Sequence, residues 1–228
     1  MRIAEVFYSI QGEGKLAGTP SMFVRASGCN LRCSWCDTPY ASWNPEGKNQ
    51  TVGQIVEQIQ RYPAAHVVIT GGEPMIMPDI AELCDALHGT HHVTIETAAT
   101  VYTPLKLHLA SLSPKLANST PLQRDGGRFA ATHERLRINM GVIQQFIDES
   151  PDFQLKFVVT AEEDLNEIDR IVGGLRGVTP ADVLLMPEGI DAPTLASRAA
   201  WIVEICKQRG FRYCPRLHVQ LYGNRRGT

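Results

Sequence analysis

The chain has 228 residues, enough to bury a full core as one domain. Its 22 Lys and Arg stand against 24 Asp and Glu, so the net charge is −2. Nothing here has the basic bias of a nucleic-acid surface, and the short run Asn224-Arg225-Arg226 does not change that. No apolar run reaches the ~18 residues of a membrane span, and residues 1–5 do not read as a signal peptide. One domain over residues 1–228 is expected, with neither membrane nor nucleic acid among its partners.

In chain order, strand-like runs cover residues 2–8 and 21–26. A helical stripe of Val52, Ile55, Val56 and Ile59 follows, with Thr51 as its start. A strand at 66–70 precedes a second stripe of Ile80, Leu83, Cys84 and Leu87, which opens at Pro78-Asp79. Strands at 92–96 and 106–112 lead into an irregular stretch, 115–132, which reads as an active-site loop or insertion. The stripe Leu136, Met140, Ile143, Ile147 then precedes a strand at 153–159. The stripe Leu165, Ile168, Val172, Leu175 precedes one at 182–186. Leu195, Ala199, Ile202 and Cys206 form the last helix, before a strand at 216–221. Strands alternating with helices imply an α/β fold, a mostly parallel sheet with outer helices, whose ligands lie beyond the carboxyl ends of the strands.

The strongest chemical signal is Gly28-Cys29-Asn30-Leu31-Arg32-Cys33-Ser34-Trp35-Cys36-Asp37-Thr38. Three thiolates at C-x3-C-x2-C can hold three corners of a [4Fe–4S] cube and leave the fourth iron open, whereas electron-transfer clusters use four cysteines. A structural zinc site is the alternative, but zinc wants four closed ligands and no second pair follows. Cys84, Cys206 and Cys214 are isolated in apolar or mixed contexts and are expected to be structural.

This loop resembles that of the radical S-adenosylmethionine (SAM) superfamily, whose fold is a partial, open TIM-like barrel with the cluster loop (28–38) at its top. The resemblance implies that the open iron chelates SAM. One electron then releases methionine and a 5′-deoxyadenosyl radical that abstracts hydrogen from substrate, and Trp35 covers the adenine or the cluster. Thr70-Gly71-Gly72-Glu73-Pro74 is similar to the superfamily's G-G-E-P, where Gly72 would meet the methionine amino group. Ser113-Pro114-Lys115 ends a strand with two donors suited to a carboxylate or ribose. Glu96, also at a strand end, suits a ribose hydroxyl or a substrate amine.

Before the cluster loop, Ile10-Gln11-Gly12-Glu13 and Arg25 supply an amide, a carboxylate and a guanidinium. Together they describe a site for a guanine-like ring bearing an acid group; a glycine-rich hairpin is the bland alternative. With Met186-Pro187-Glu188-Gly189 and the ending 216–224, the match is to the 7-carboxy-7-deazaguanine synthase family from about Val6 onward. The resemblance implies conversion of 6-carboxy-5,6,7,8-tetrahydropterin to 7-carboxy-7-deazaguanine with loss of ammonia, in 7-deazapurine and queuosine biosynthesis. It also implies SAM contacts at Trp35, Cys36, Asp37, Gly72 and 113–115, and Mg2+ on Thr38. Substrate contacts are implied at Ile10, Gln11, Gly12, Glu13, Arg25 and Thr70. A homodimer and a flavodoxin or ferredoxin as electron donor follow from the same likeness; reduced cysteines, the implied cluster and the lack of an export signal point to the cytoplasm.

The terminal carboxylate of Thr228 is expected to reach the aminopyrimidine. His218 either lines the pterin pocket or is a buried strand histidine. Ala98-Ala99 departs from the family, where glycine or asparagine is common. His88, His91 and His92 are expected at the amino end of the sheet, away from the cluster loop. Two other readings stay open: a glycyl-radical activase and a non-catalytic zinc-binding module.

Overall fold

The computed structural model describes all 228 residues. Nine strands form one sheet in the order β3-β1-β2-β4-β5-β6-β7-β8-β9. They are β1 (Arg2–Ile10), β2 (Pro20–Ala26), β3 (Lys48–Asn49), β4 (His66–Gly71), β5 (His92–Thr97), β6 (Leu109–Leu112), β7 (Phe153–Val159), β8 (Val183–Pro187) and β9 (Arg212–Tyr213). β1 runs antiparallel to β2 and β3, and every other pairing is parallel. The helices are α1 (Val52–Ile59), α2 (Ile80–His88), α3 (Ala130–Leu136), α4 (Met140–Glu149), α5 (Leu165–Gly173), α6 (Ala192–Arg209) and α7 (Leu217–Tyr222).

Period-two alternation gives the sheet two unlike faces. Val24, Ile69, Ile95, Leu112, Phe157 and Leu185 point outward into one core of 34 buried residues shared with the helices. The helical stripes supply the other half: Ile80, Leu83, Cys84 and Leu87 of α2 are all buried there. Thr51 starts α1 with a capping box, its hydroxyl accepting from Gln54 N and Gln54 Oε1 accepting from Thr51 N. The inner face is different. Register sets Arg25 beside Thr70, Glu96 beside Ser111, and Ser111 beside Gln154. These polar side chains face the hollow of the open barrel rather than a helix.

Three expectations change. The strand expected at 106–112 begins only at Leu109. The stripe from Leu136 to Ile147 spans two helices, with Asn139 capping α4 through Val142 N. Residues 216–221 are not a strand. Cys214 N still bonds to Leu185 O, but Pro215 has no N–H to continue the ladder, and the chain turns into α7. The Leu217, Val219, Leu221 alternation misleads because only Val219 is buried, while Leu221 stays exposed.

Candidate functional site

The carboxyl ends of β2 and β4 through β8 open on a cavity of about 730 Å³. Every site residue singled out in the sequence lines it except Pro114. Ser113 and Lys115, on either side of that proline, both reach it, and Lys115 Nζ donates to Ser113 Oγ at 2.8 Å.

The cluster loop leaves β2 at Ala26 and is held from outside by the irregular stretch after β6. Ser34 N donates to Ser119 O at 2.7 Å, and Trp35 Nε1 donates to Asn118 Oδ1. Arg124 donates to Ser34 O at 2.8 Å and stacks on Trp43. The 115–132 stretch is thus a clamp on the loop. Trp35 rests on an apolar patch of the inner face, Val158, Leu184, Met186 and Cys214. Lys115 Nζ lies 5.9 Å from its ring centre.

Cys29, Cys33 and Cys36 are free thiols lining the one cavity. Burial pushes Cys29 and Cys33 to about 12 and raises Cys36. Such thiols ionise only with a cation to hold the charge, which bound iron supplies. No three Cys, His, Asp or Glu side chains converge on a point where a single metal ion would sit. Three thiols lining one cavity are the donor set that a [4Fe–4S] cluster with one open iron would take.

The glycine motif is backbone-crowded. A Cβ on Gly72 would stand 2.0 Å from Gly28 O and 2.4 Å from Ala41 O, so no side chain fits. Gly71, at φ +127°, packs as tightly against Ala26. Glu73, a residue without an assigned role in the sequence, is fully buried. It accepts from Thr97 Oγ1 (2.7 Å), Ala98 N (2.9 Å) and Met75 N (3.1 Å), stapling this turn to the end of β5. Burial raises its carboxyl despite those bonds. Ala99, next to Ala98, has φ +54°, the left-handed region that favours glycine or asparagine.

On the substrate side, Arg25 Nε donates to Glu5 Oε1 at 2.7 Å, and the Tyr40 hydroxyl donates to the same oxygen at 2.6 Å. Burial opposes the Arg25 charge, but Tyr40 and Glu5 outweigh it and hold the guanidinium ionised. Its two terminal nitrogens bond to no protein group. Glu96 accepts from Gln11 Nε2 (3.0 Å) and Thr70 Oγ1 (2.8 Å). Gly12 lies under His218, whose Nδ1 would be 1.9 Å from a Cβ there. His218 therefore lines the cavity from α7, and burial lowers its pKa.

Two charged residues escaped the sequence reading. Lys156 of β7 and Arg216 both pair with Glu13. Burial alone would raise the Glu13 carboxyl, but these two cations hold it far below its usual range. Arg216 also pairs with Asp37, which it keeps ionised against burial. The signal for Lys156 was a lone charge in a mainly apolar strand. Arg216 stood only as the first residue of the matched ending, with no role of its own.

A model of the Radical SAM superfamily matches residues 23–115. The chain is 46% identical to the 7-carboxy-7-deazaguanine synthase of Rhodopirellula baltica over 99% of its own length and 88% of the relative's. It is 44% identical to that of Halobacterium salinarum, covering 97% and 90%. Among solved structures it resembles QueE from Escherichia coli with a TM-score of 0.70 and 26% identity, over 95% of this chain and 94% of that one. Streptococcus suis SuiB shares the fold alone, at a TM-score of 0.56 and 16% identity. With near-full-length identity of this order, the chain belongs to the 7-carboxy-7-deazaguanine synthase family within the radical SAM superfamily.

Proposed function

We propose that this chain converts 6-carboxy-5,6,7,8-tetrahydropterin to 7-carboxy-7-deazaguanine and ammonia, a ring contraction in which one nitrogen leaves and every carbon stays. The observation that carries the reading is Arg25. Glu5, itself held by the Tyr40 hydroxyl, fixes one edge of its guanidinium, and the other edge is unpaired in the cavity that holds the three thiols. A forked, pre-oriented guanidinium is the natural partner for a substrate carboxylate. Glu96, held in place by Gln11 and Thr70, has lone pairs left for N–H groups of the bicyclic ring.

Cys29, Cys33 and Cys36 would hold a [4Fe–4S] cluster. Bound there and reduced, it supplies the electron that opens SAM. Trp35, Cys36, Asp37, Gly72 and residues 113–115 would bound the SAM site. The Asp37 carboxylate is occupied by Arg216 and Thr38, so its contact with SAM would come from its backbone. Lys115 and Ser113 form a paired donor for a carboxylate or ribose oxygen. Pro114 would act by stiffening the turn between them.

Thr38 is proposed as the protein ligand to Mg2+. Its hydroxyl proton is already given to Asp37 Oδ1 at 2.9 Å, which leaves the oxygen's lone pairs to accept a cation. One protein oxygen is a poor magnesium site alone, so substrate oxygens and water would complete it. A flavodoxin or ferredoxin as donor, a homodimer and a cytoplasmic setting complete the reading. No helix is long and apolar enough to cross a membrane.

The test is anaerobic incubation of reconstituted protein with the tetrahydropterin, SAM, reductant and Mg2+. Formation of 7-carboxy-7-deazaguanine, seen by mass spectrometry, is expected. Its absence from protein with a full cluster would refute the substrate assignment.

A further inference from the structure

Arg216 is 6 % exposed, and its three nitrogens each reach a different loop at the mouth of the barrel. Nε donates to Glu13 Oε1 at 3.1 Å, on the β1–β2 connection. Nη1 donates to Gly189 O at 2.5 Å, after β8. Nη2 donates to Asp37 Oδ2, at the end of the cluster loop. The other Asp37 oxygen accepts the Thr38 hydroxyl at 2.9 Å. A continuous path therefore runs from Lys156 through Glu13, Arg216 and Asp37 to Thr38.

The path alternates in sign, with two cations and two carboxylates. Its members are not equally protected. Without Arg216, Glu13 keeps Lys156. Asp37 keeps no cation in contact, because Arg216 is the one that pairs with it. The Asp37 side chain is 37% exposed, so once unpaired it would turn toward water, and that turn releases the Thr38 hydroxyl from the orientation it now has.

We propose that Arg216 is a positioning residue, one that fixes the Thr38 oxygen for a divalent cation by holding Asp37. This rests on the reading of Thr38 as a cation ligand. Arginine is required because its planar fork spans three acceptors at once, which a lysine point charge does not.

The test reads binding rather than turnover. Mn2+ is titrated into cluster-reconstituted protein with 6-carboxytetrahydropterin and no reductant, and free Mn2+ is followed by its six-line electron paramagnetic resonance signal. Removing an outer partner of a metal ligand weakens metal binding by about tenfold or more, and that loss is expected for Arg216→Ala. The double variant Asp37→Ala/Arg216→Ala should bind no more weakly than Asp37→Ala, because the effect passes through Asp37. Added guanidinium should restore binding to Arg216→Ala and not to the double variant. Losses that multiply, or Arg216→Ala binding like wild type, overturn the inference. Equal binding by wild type and Thr38→Val removes the Thr38 reading and the inference with it. Should Arg216→Ala not fold, Arg216→Lys serves. Weakened Mn2+ binding at an unchanged unfolding midpoint supports the proposal, and wild-type binding refutes it.

Discussion

The inner face of the sheet buries polar groups at both ends, and the two ends treat them differently. At the amino-end floor the groups pair almost wholly with one another. Ser21 Oγ meets His66 Nδ1 at 2.7 Å, and His66 Nε2 meets Thr94 Oγ1 at 2.8 Å. His92 packs edge-on to His66 and stacks on His108, which stacks on His88. His108 Nδ1 accepts from Val93 N. At the carboxyl-end mouth the partners are charged and their capacity is not used up. Arg25 has an unpaired edge, Thr38 has free lone pairs, and three thiols line the same cavity. Both ends are built from buried polar residues on the same strands. His92 Nδ1 is the one buried floor atom without a partner; that atom apart, unspent bonding capacity, not polarity, separates the site from the structure beneath it.

The comparison breaks most easily at the thiols. Cys33→Ala should abolish reductive SAM cleavage and lower bound iron, as colour and metal analysis will report, because a cube held by two cysteines is not retained. Arg25→Met comes next. Losing a charge-assisted pair worth about 1.5–3 kcal/mol should cut kcat/KM for the pterin by about 10- to 150-fold. SAM cleavage by the reduced enzyme without substrate should persist, which separates this reading from loss of the cluster.

The floor responds to acid rather than to ligand. Burial, and then His92, lowers His66 to about 4 from an ordinary 6.5. His66 is therefore neutral in the fold at pH values where the unfolded chain has taken up its proton. Its contribution is full above about pH 6.5 and is lost as pH falls toward 4. A depression of that size corresponds to about 3 kcal/mol. Burial also lowers the neighbouring His92, against a smaller raising pull from Asp152, and lowers His133 to about 4. Urea unfolding at pH 7 and pH 4.5 should show the loss, and His66→Gln should remove the His66 share of it while the His133 share remains. The smallest effect lies far from both ends. Thr51→Ala removes the α1 cap and should cost about 1 kcal/mol of stability with turnover unchanged.

The same contrast separates what the sequence revealed from what it did not. The α2 stripe was readable because its 3.6-residue periodicity reports burial directly, and strand 153–159 because it is a short, mainly apolar run between helical stripes. The cluster loop and the glycine turn were readable because their spacing is local. Arg216 and Lys156 were not, since their partner Glu13 lies 203 and 143 residues away along the chain. Glu73 was hidden differently. Its motif marked the turn, while its own role depends on Thr97 and Ala98 at the end of the next strand. The helix at 217–222 was misread because alternation without a neighbouring strand carries no information about pairing.

One measurement tests the central claim most directly: the electron paramagnetic resonance spectrum of the anaerobically reconstituted, reduced protein with and without SAM. A [4Fe–4S] signal that shifts on adding SAM is expected, since three thiols leave one iron open to it. Stoichiometric zinc in place of a cluster, or a cluster signal indifferent to SAM, would contradict the account from Cys29 onward.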